Sequence, residues 1–236
     1  MSKIYKGKTC VYCATEESTC SDHVIAREFF PSDMRNYLPK VSSCDACNNK
    51  KAKLEHYATS ILPFGSMHEN AEEMLRGATA RRLERNIKLK KELKNNMQRI
   101  WLKSKSNLIL PTITIPINGD ILTQLFSMII RGLYYHNWQM IIPRDYFVEV
   151  YTLTLRGLLL FREMMISKAP SNYIQKKLGN GIFHYSCTRG DKEPGISAWE
   201  MYFYNGVMIA GEKNELVYFC GLTGPEAIRR TNRCLK

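Results

Sequence analysis

Cysteine is the residue type in this sequence whose spacing most directly indicates chemistry. Four of the eight cysteines form two Cys-x2-Cys pairs, Cys10 with Cys13 and Cys44 with Cys47. Two such pairs can complete the tetrahedral, all-cysteine site that is typical of structural Zn²⁺. Because the chain begins without an apolar leader, we expect a cytoplasmic protein with reduced thiols rather than disulfides. The other four cysteines, interpreted as buried or incidental thiols, are Cys20, Cys187, Cys220 and Cys234.

Further polar residues lie between and just after the two pairs. The insert between the pairs contains Asp22-His23-Val24, and Asn48 follows the second pair directly. The order Cys-x2-Cys, Asp-His-Val, then Cys-x2-Cys-Asn-x-x-Lys resembles the zinc-knuckle branch of the HNH endonucleases. This resemblance covers roughly residues 8 to 60.

The resemblance implies a metal-dependent endonuclease that hydrolyses DNA to 5′-phosphate and 3′-hydroxyl ends. His23 would be the general base, since an imidazole with a pKa of about 6.5 accepts a proton at neutral pH. Asp22 and Asn48 would hold one divalent cation, Mg²⁺ or Mn²⁺, because such hard ions prefer oxygen ligands. The family is common in restriction, phage defence and mobile elements.

The sequence departs from the family pattern at two positions. The central asparagine of the family, which orients the histidine, falls on Pro39, and Asn36 lies three residues earlier. A backbone carbonyl, Ser42 or Asn36 can take over that role, and the sequence leaves the choice open. Asn48 stands where the family more often has histidine, and an amide oxygen can still ligate Mg²⁺.

The implied fold class is α+β. The resemblance predicts a ββα-metal (His-Me finger) module over residues 1–62, with strands at Asp22–Ala26 and Lys40–Ser43 and a helix after the second cysteine pair. Residues 63–236 are expected to form a second region with a helical middle and a small antiparallel sheet. Its predicted elements are one or two helices over 69–103, an edge strand from 108, a helix over 120–135, four strands, and a hairpin at Asn205-Gly206.

The charge is uneven along the chain. Lys and Arg number 34 against 22 Asp and Glu, a formal net charge of +12. Between Arg76 and Lys105, eleven basic residues face only Glu84 and Glu92, which favours binding of a polyanion such as nucleic acid over a merely solvated helix face. The predicted nucleic-acid contacts are Arg27, Lys50, Lys51, Lys53, Arg81, Arg82 and Arg85.

The composition excludes some classes of protein and leaves others open. No run approaches the roughly 18 apolar residues of a membrane span, so we expect no membrane partner. DNA is the expected partner, and a homodimer is left open. Two alternative functions remain at this stage: a non-catalytic, zinc-containing module that binds nucleic acid, and an RNA-directed nuclease that uses the same residues.

Overall fold

A two-stranded hairpin and a long helix form the N-terminal part of the computed structural model, which describes residues 3–66, 68–103, 108–209 and 215–233. Strand β1 (Cys20–His23) pairs antiparallel with β2 (Lys40–Ser43), and α1 (Asp45–Ile61) follows. The prediction for β2 is confirmed, whereas β1 begins earlier than expected and ends at His23. The next three residues, 24–26, are all buried, and a 3-10 turn at Arg27–Phe29 follows them.

The middle of the chain is helical and then turns into a second hairpin. The helices are α2 (Glu69–Met74), α3 (Ala80–Arg85) and α4 (Ile87–Asn96), with a π-helical turn at Leu75–Thr79. Strands β3 (Gln98–Lys103) and β4 (Ile109–Thr114) then pair antiparallel. The expected helix over 97–103 is therefore wrong, whereas the strand after residue 108 is confirmed.

The helix predicted over 120–135 is confirmed as α5 (Gly119–Trp138). It begins where the side chain of Asn118 accepts a hydrogen bond from the Ile121 N–H at 3.2 Å, the usual action of an N-cap residue. Short 3-10 turns occupy Lys3–Tyr5, Arg27–Phe29, Ser32–Met34, Leu62–Gly65 and Pro170–Asn172.

The C-terminal part contains an antiparallel sheet, as the sequence predicts, together with two helices that the sequence analysis did not identify. Its strands run in the order β5-β10-β8-β7-β6, and β9 pairs with β10 beyond the end of β8. Helix α6 (Leu155–Lys168) follows β5, and α7 (Glu226–Arg233) follows β10. The strands are β5 (Tyr146–Thr154), β6 (Ile174–Leu178), β7 (Phe183–Arg189), β8 (Ser197–Phe203), β9 (Val207–Ile209) and β10 (Glu215–Pro225).

The hairpin predicted at Asn205-Gly206 is wrong. Both β8 and β9 pair antiparallel with β10, so they follow each other along one partner strand instead of pairing together. The bend between them has positive φ at Tyr204, Asn205 and Gly206. Tyr204 is fully buried and its hydroxyl donates to Phe29 O at 2.7 Å. The left-handed bend therefore buries a tyrosine rather than reversing the chain.

One apolar core joins the N-terminal part to α5 and the C-terminal sheet. Phe29 stacks on Phe203 with ring centroids 4.1 Å apart. Val24 packs so closely on α5 at Gly132 that a Cβ there would lie 2.7 Å from the valine side chain. The core therefore continues across the boundary at residue 62 that the sequence suggested. Over the described residues, none of the helices combines the length and apolar character that a membrane crossing requires.

Candidate metal and catalytic site

The four cysteines of the Cys-x2-Cys pairs come together at the start of α1. Their sulfur atoms all lie within 4.8 Å of one another, and a tetrahedral site with metal–sulfur bonds of about 2.3 Å has sulfur–sulfur edges of about 3.8 Å. Burial raises the pKa of the Cys47 thiol, and the hydrogen bond with Cys44 and the charges of the neighbouring thiols raise it further. Four thiolates can share this space only around a cation, so the group can hold a metal such as Zn²⁺.

Local backbone structure brings the two pairs together. In the first pair, the Ala14 N–H donates to Cys10 O at 2.9 Å, and Ala14 takes the left-handed conformation at φ 59° that closes the turn. In the second pair, Cys44 is the N-cap residue of α1. The Val11 N–H donates to Ser42 O at 3.0 Å. This hydrogen bond holds the first pair against β2, directly before the second pair.

The remaining cysteines lie away from this group. Cys187 and Cys220 are buried, and Cys20 is half-buried with its thiol donating to Ser43 O at 3.4 Å. Cys234 lies outside the described residues.

Asp22 and His23 end β1, opposite Val41 and Lys40 of β2. The imidazole of His23 is half-buried. Burial lowers the pKa of His23, and the positive charges of Lys40 and Arg27 lower it further, while Asp22 opposes them. The ring is therefore neutral at neutral pH, which is the form in which a nitrogen can accept a proton.

Ser42 and Asn36 were the side chains left open as orienting partners of His23. Ser42 Oγ donates to Thr9 O at 3.0 Å, so it fastens the N-terminal loop to β2 instead. Asn36 lies exposed in a turn. Ser42 is therefore not the orienting group.

A cluster of charged and polar groups ties Asp22 to α1. The Lys51 side chain is fully buried, and its Nζ lies 2.9 Å from Asp22 Oδ2 and donates to His23 O at 2.7 Å. Lys51 also pairs with Glu55, one helical turn along. The Tyr12 hydroxyl donates to Asp22 Oδ2 at 2.5 Å. We call these four residues, Tyr12, Asp22, Lys51 and Glu55, the Lys51 cluster.

The prediction that Lys51 contacts phosphate is wrong, because the ammonium group is enclosed by this cluster. Burial raises the pKa of Glu55 to about 7, against the opposing charge of Lys51. Burial also raises the pKa of Tyr12, and the charge of Asp22 adds to this effect, so the phenol keeps its proton and donates it. The i,i+4 spacing of Lys51 and Glu55 is a sequence signal for such a pair, whereas nothing in the sequence singles out Tyr12.

Asn48 lies in the first turn of α1 and is half-buried. It shares a helix face with Lys51 and Glu55, because residues three, four and seven apart line one side of a helix. Asp22 and His23 thus end β1 against the face of α1 that also carries Asn48. The three residues therefore come from β1 and α1.

The other predicted nucleic-acid contacts divide into two groups. Arg82 is half-buried and donates to Thr59 O at 3.3 Å and to Glu28 O at 3.2 Å, so it fastens α3 to α1 and to the loop after His23. The prediction that Arg82 contacts phosphate is therefore wrong, and this side chain has a structural role instead. Lys105, the last residue of the basic segment, lies outside the described residues. The exposed members of the predicted set are Arg27, Lys50, Lys53, Arg81 and Arg85.

The site combines a neutral imidazole, a carboxylate and an amide beside a group of four thiols. Comparison of the chain with protein-family models, with curated proteins and with solved structures finds no match. Its chemistry must therefore be inferred from the residues. A proton acceptor next to hard oxygen ligands suits hydrolysis assisted by a divalent cation.

Proposed function

We propose that this protein is a metal-dependent endonuclease of the HNH type that hydrolyses phosphodiester bonds in DNA. The observation that carries the proposal is the position of Asp22 and His23. They end β1 against the helix that begins at the second cysteine pair and bears Asn48. On this proposal, β1, β2 and α1 form a ββα-metal module with Zn²⁺ at its base, and residues 63–236 supply the surface that selects the substrate.

The donor set of the site fits one Mg²⁺ or Mn²⁺. Among the described residues, both polar contacts of the Asp22 carboxylate fall on Oδ2, so Oδ1 can be offered to a cation. Asn48 would add an amide oxygen, and such a small number of protein ligands leaves coordination positions for water and phosphate. When bound, the cation would supply Lewis-acid stabilisation of the phosphate and of the leaving oxygen.

His23 would supply the proton transfer. Its neutral ring would accept a proton from the water that attacks phosphorus, and the bond to the leaving 3′ oxygen would break. The products would be a 5′-phosphate and a 3′-hydroxyl. The Lys51 cluster would hold the Asp22 carboxylate and the His23 backbone in place, because Lys51 contacts both.

The distribution of positive charge supports a nucleic-acid substrate. Arg82 ties α3 to Glu28 in the loop after His23, so Arg81 and Arg85 are carried next to that loop on the same short helix. Both are exposed. Together with Arg27 and Lys50, they offer cations to the phosphates on either side of the scissile bond.

Cleavage assays with a His23→Ala variant test the proposal directly. Plasmid, single-stranded DNA and RNA are incubated with Mg²⁺ or Mn²⁺. We expect the unmutated protein to cleave DNA and the variant to lose at least about 100-fold in rate, the usual contribution of a general base. His56→Ala is the matched control, since His56 is exposed on α1 outside the motif.

Each other outcome of the assay identifies an alternative. DNA binding without cleavage under every metal condition would contradict the proposal and favour a non-catalytic zinc module. Cleavage confined to RNA would instead assign the same residues to an RNA-directed nuclease. Equal loss of activity in His23→Ala and His56→Ala would contradict the role of His23 as the general base.

Charge reversal on α3 tests the proposed docking surface. Replacing Arg81 and Arg85 with glutamate, with Arg82 left in place, should weaken DNA binding for all sequences alike. Each lost phosphate contact should also lower the slope of log affinity against log salt concentration by about 0.9. Binding titrations from low to moderate salt measure both effects.

The control for this experiment carries the same change in net charge elsewhere. Lys177 and Lys192 are exposed in β6 and in the loop before β8, and reversing both should leave the slope nearly unchanged. If the α3 variant keeps the parental affinity and salt slope, α3 does not track the phosphate backbone.

A further inference from the structure

The outer face of α6 carries several exposed apolar side chains. Leu155, Leu159, Leu160 and Met164 are between 39% and 62% exposed, although side chains of this kind are usually buried. The inner face is firmly attached to the sheet: Leu158 and Met165 are buried, and the guanidinium of Arg162 donates to Glu200. The helix therefore cannot turn its outer face inward.

Two exposed charges lie on the same outer face. Arg156 and Glu163 are seven residues apart, about two helical turns or 10.5 Å along the axis. Both are exposed, and neither forms an ion pair within the described ranges. With about 100° of rotation per residue, Arg156 and Glu163 run along the middle of the face, while Leu159 and Leu160 flank its centre on opposite sides.

We propose that α6 is the interface of a homodimer, in which it packs antiparallel against α6 of a second copy across a two-fold axis between Leu159 and Leu160. This axis runs perpendicular to both helices at the height midway between Leu159 and Leu160, so it reverses height along the helix and keeps each residue on its own side of the face. It therefore places Leu159 on Leu159 and Leu160 on Leu160 of the second copy, and Arg156 opposite Glu163 of the second copy.

The face is thus complementary to itself in charge. The pair of Arg156 with Glu163 occurs twice, because the interface is isologous. A nucleic acid would bind this face poorly, because the middle of the face carries one positive and one negative charge between apolar side chains. A second copy pairs both of these charges and covers the two leucines beside them. This inference does not depend on the nuclease activity proposed above.

The size of the interface sets the expected affinity. Helix α6 has 14 residues and is about 21 Å long, so a contact between two such helices falls below the standard interface of about 1,600 Å². We therefore expect a dissociation constant of about 1–100 μM. Sedimentation velocity over about 1–300 μM protein spans that range and should show a monomer that converts to a dimer.

Charge exchange gives the most specific test of the register. Arg156→Glu or Glu163→Arg alone places two like-charge pairs in the interface and should raise the dissociation constant about tenfold or more. The double variant Arg156→Glu/Glu163→Arg should restore it to within about threefold of the parent. Lys177→Glu, an exposed change in β6, is the control that should leave dimerisation unchanged.

A second variant tests the apolar part of the face. Leu160→Glu should raise the dissociation constant at least about tenfold, because it introduces two charges beside the axis. Circular dichroism should show unchanged folding, since Leu160 is exposed. A monomer at every concentration would overturn the proposal. So would a dimer that withstands Leu160→Glu, or one that the charge exchange fails to restore.

Discussion

Replacing Cys44 with serine is expected to empty the four-cysteine site and to unfold the start of α1. A serine hydroxyl is a poor Zn²⁺ ligand, and Cys44 belongs to the four-cysteine group and lies directly before α1. The apparent binding free energy of a structural Zn²⁺ is about 10–16 kcal/mol, as large as the whole stability of many domains. Elemental analysis should find zinc in the parent and none in the variant.

The effect should extend beyond the site, because the core is shared. Residues near the cysteines, such as Val11 and Tyr12, belong to the same buried cluster as α5 and the sheet. We therefore expect a lower melting temperature for the whole chain and loss of hydrogen-exchange protection that is greatest in β1, β2 and the first turns of α1. Cys20→Ser is the control, since Cys20 lies in β1 outside the group of four. Folded, freshly purified parent protein without zinc would contradict the prediction.

The cysteine site was predictable because its signal is local. Each Cys-x2-Cys pair needs only a tight turn to present two sulfur atoms, and the structure brings all four within 4.8 Å. The Lys51 cluster was not predictable in the same way. Lysines 50, 51 and 53 are alike in sequence, and only the packing of α1 on β1 decides that Lys51 is buried while its neighbours remain exposed.

Fold prediction succeeded where the signal is local and failed where pairing with a distant segment decides the structure. Helix α5 has an apolar pattern long enough to be identified from the sequence, and its bounds differ from the prediction by only a few residues. The helical spacing of Leu89, Leu93, Met97 and Ile100 continues past the end of α4, yet the chain enters β3 at Gln98. Pairing of β3 with β4 decides this, and a partner strand beyond residue 108 leaves no trace in the local periodicity.

Replacing Lys51 with methionine is expected to destabilise the protein by about 3–5 kcal/mol, the usual consequence of removing one partner from a buried ion pair. Methionine has a similar length, so little packing is lost. The variant would leave Asp22 and Glu55 close together without the cation that lies between them. Urea denaturation compares it with Lys50→Met, a control that removes the neighbouring exposed lysine.

A double variant separates charge balance from packing. Lys51→Met/Glu55→Gln removes one buried acid together with the lysine, and Tyr12 still donates to the Asp22 carboxylate. If unpaired charge causes the loss, the double variant should recover at least about half of it, a coupling that a thermodynamic cycle measures. If Lys51→Met unfolds at the same urea concentration as Lys50→Met, the cluster does not hold β1 on α1. The position of Asp22 and His23 would then depend on the cysteine site and the apolar core alone.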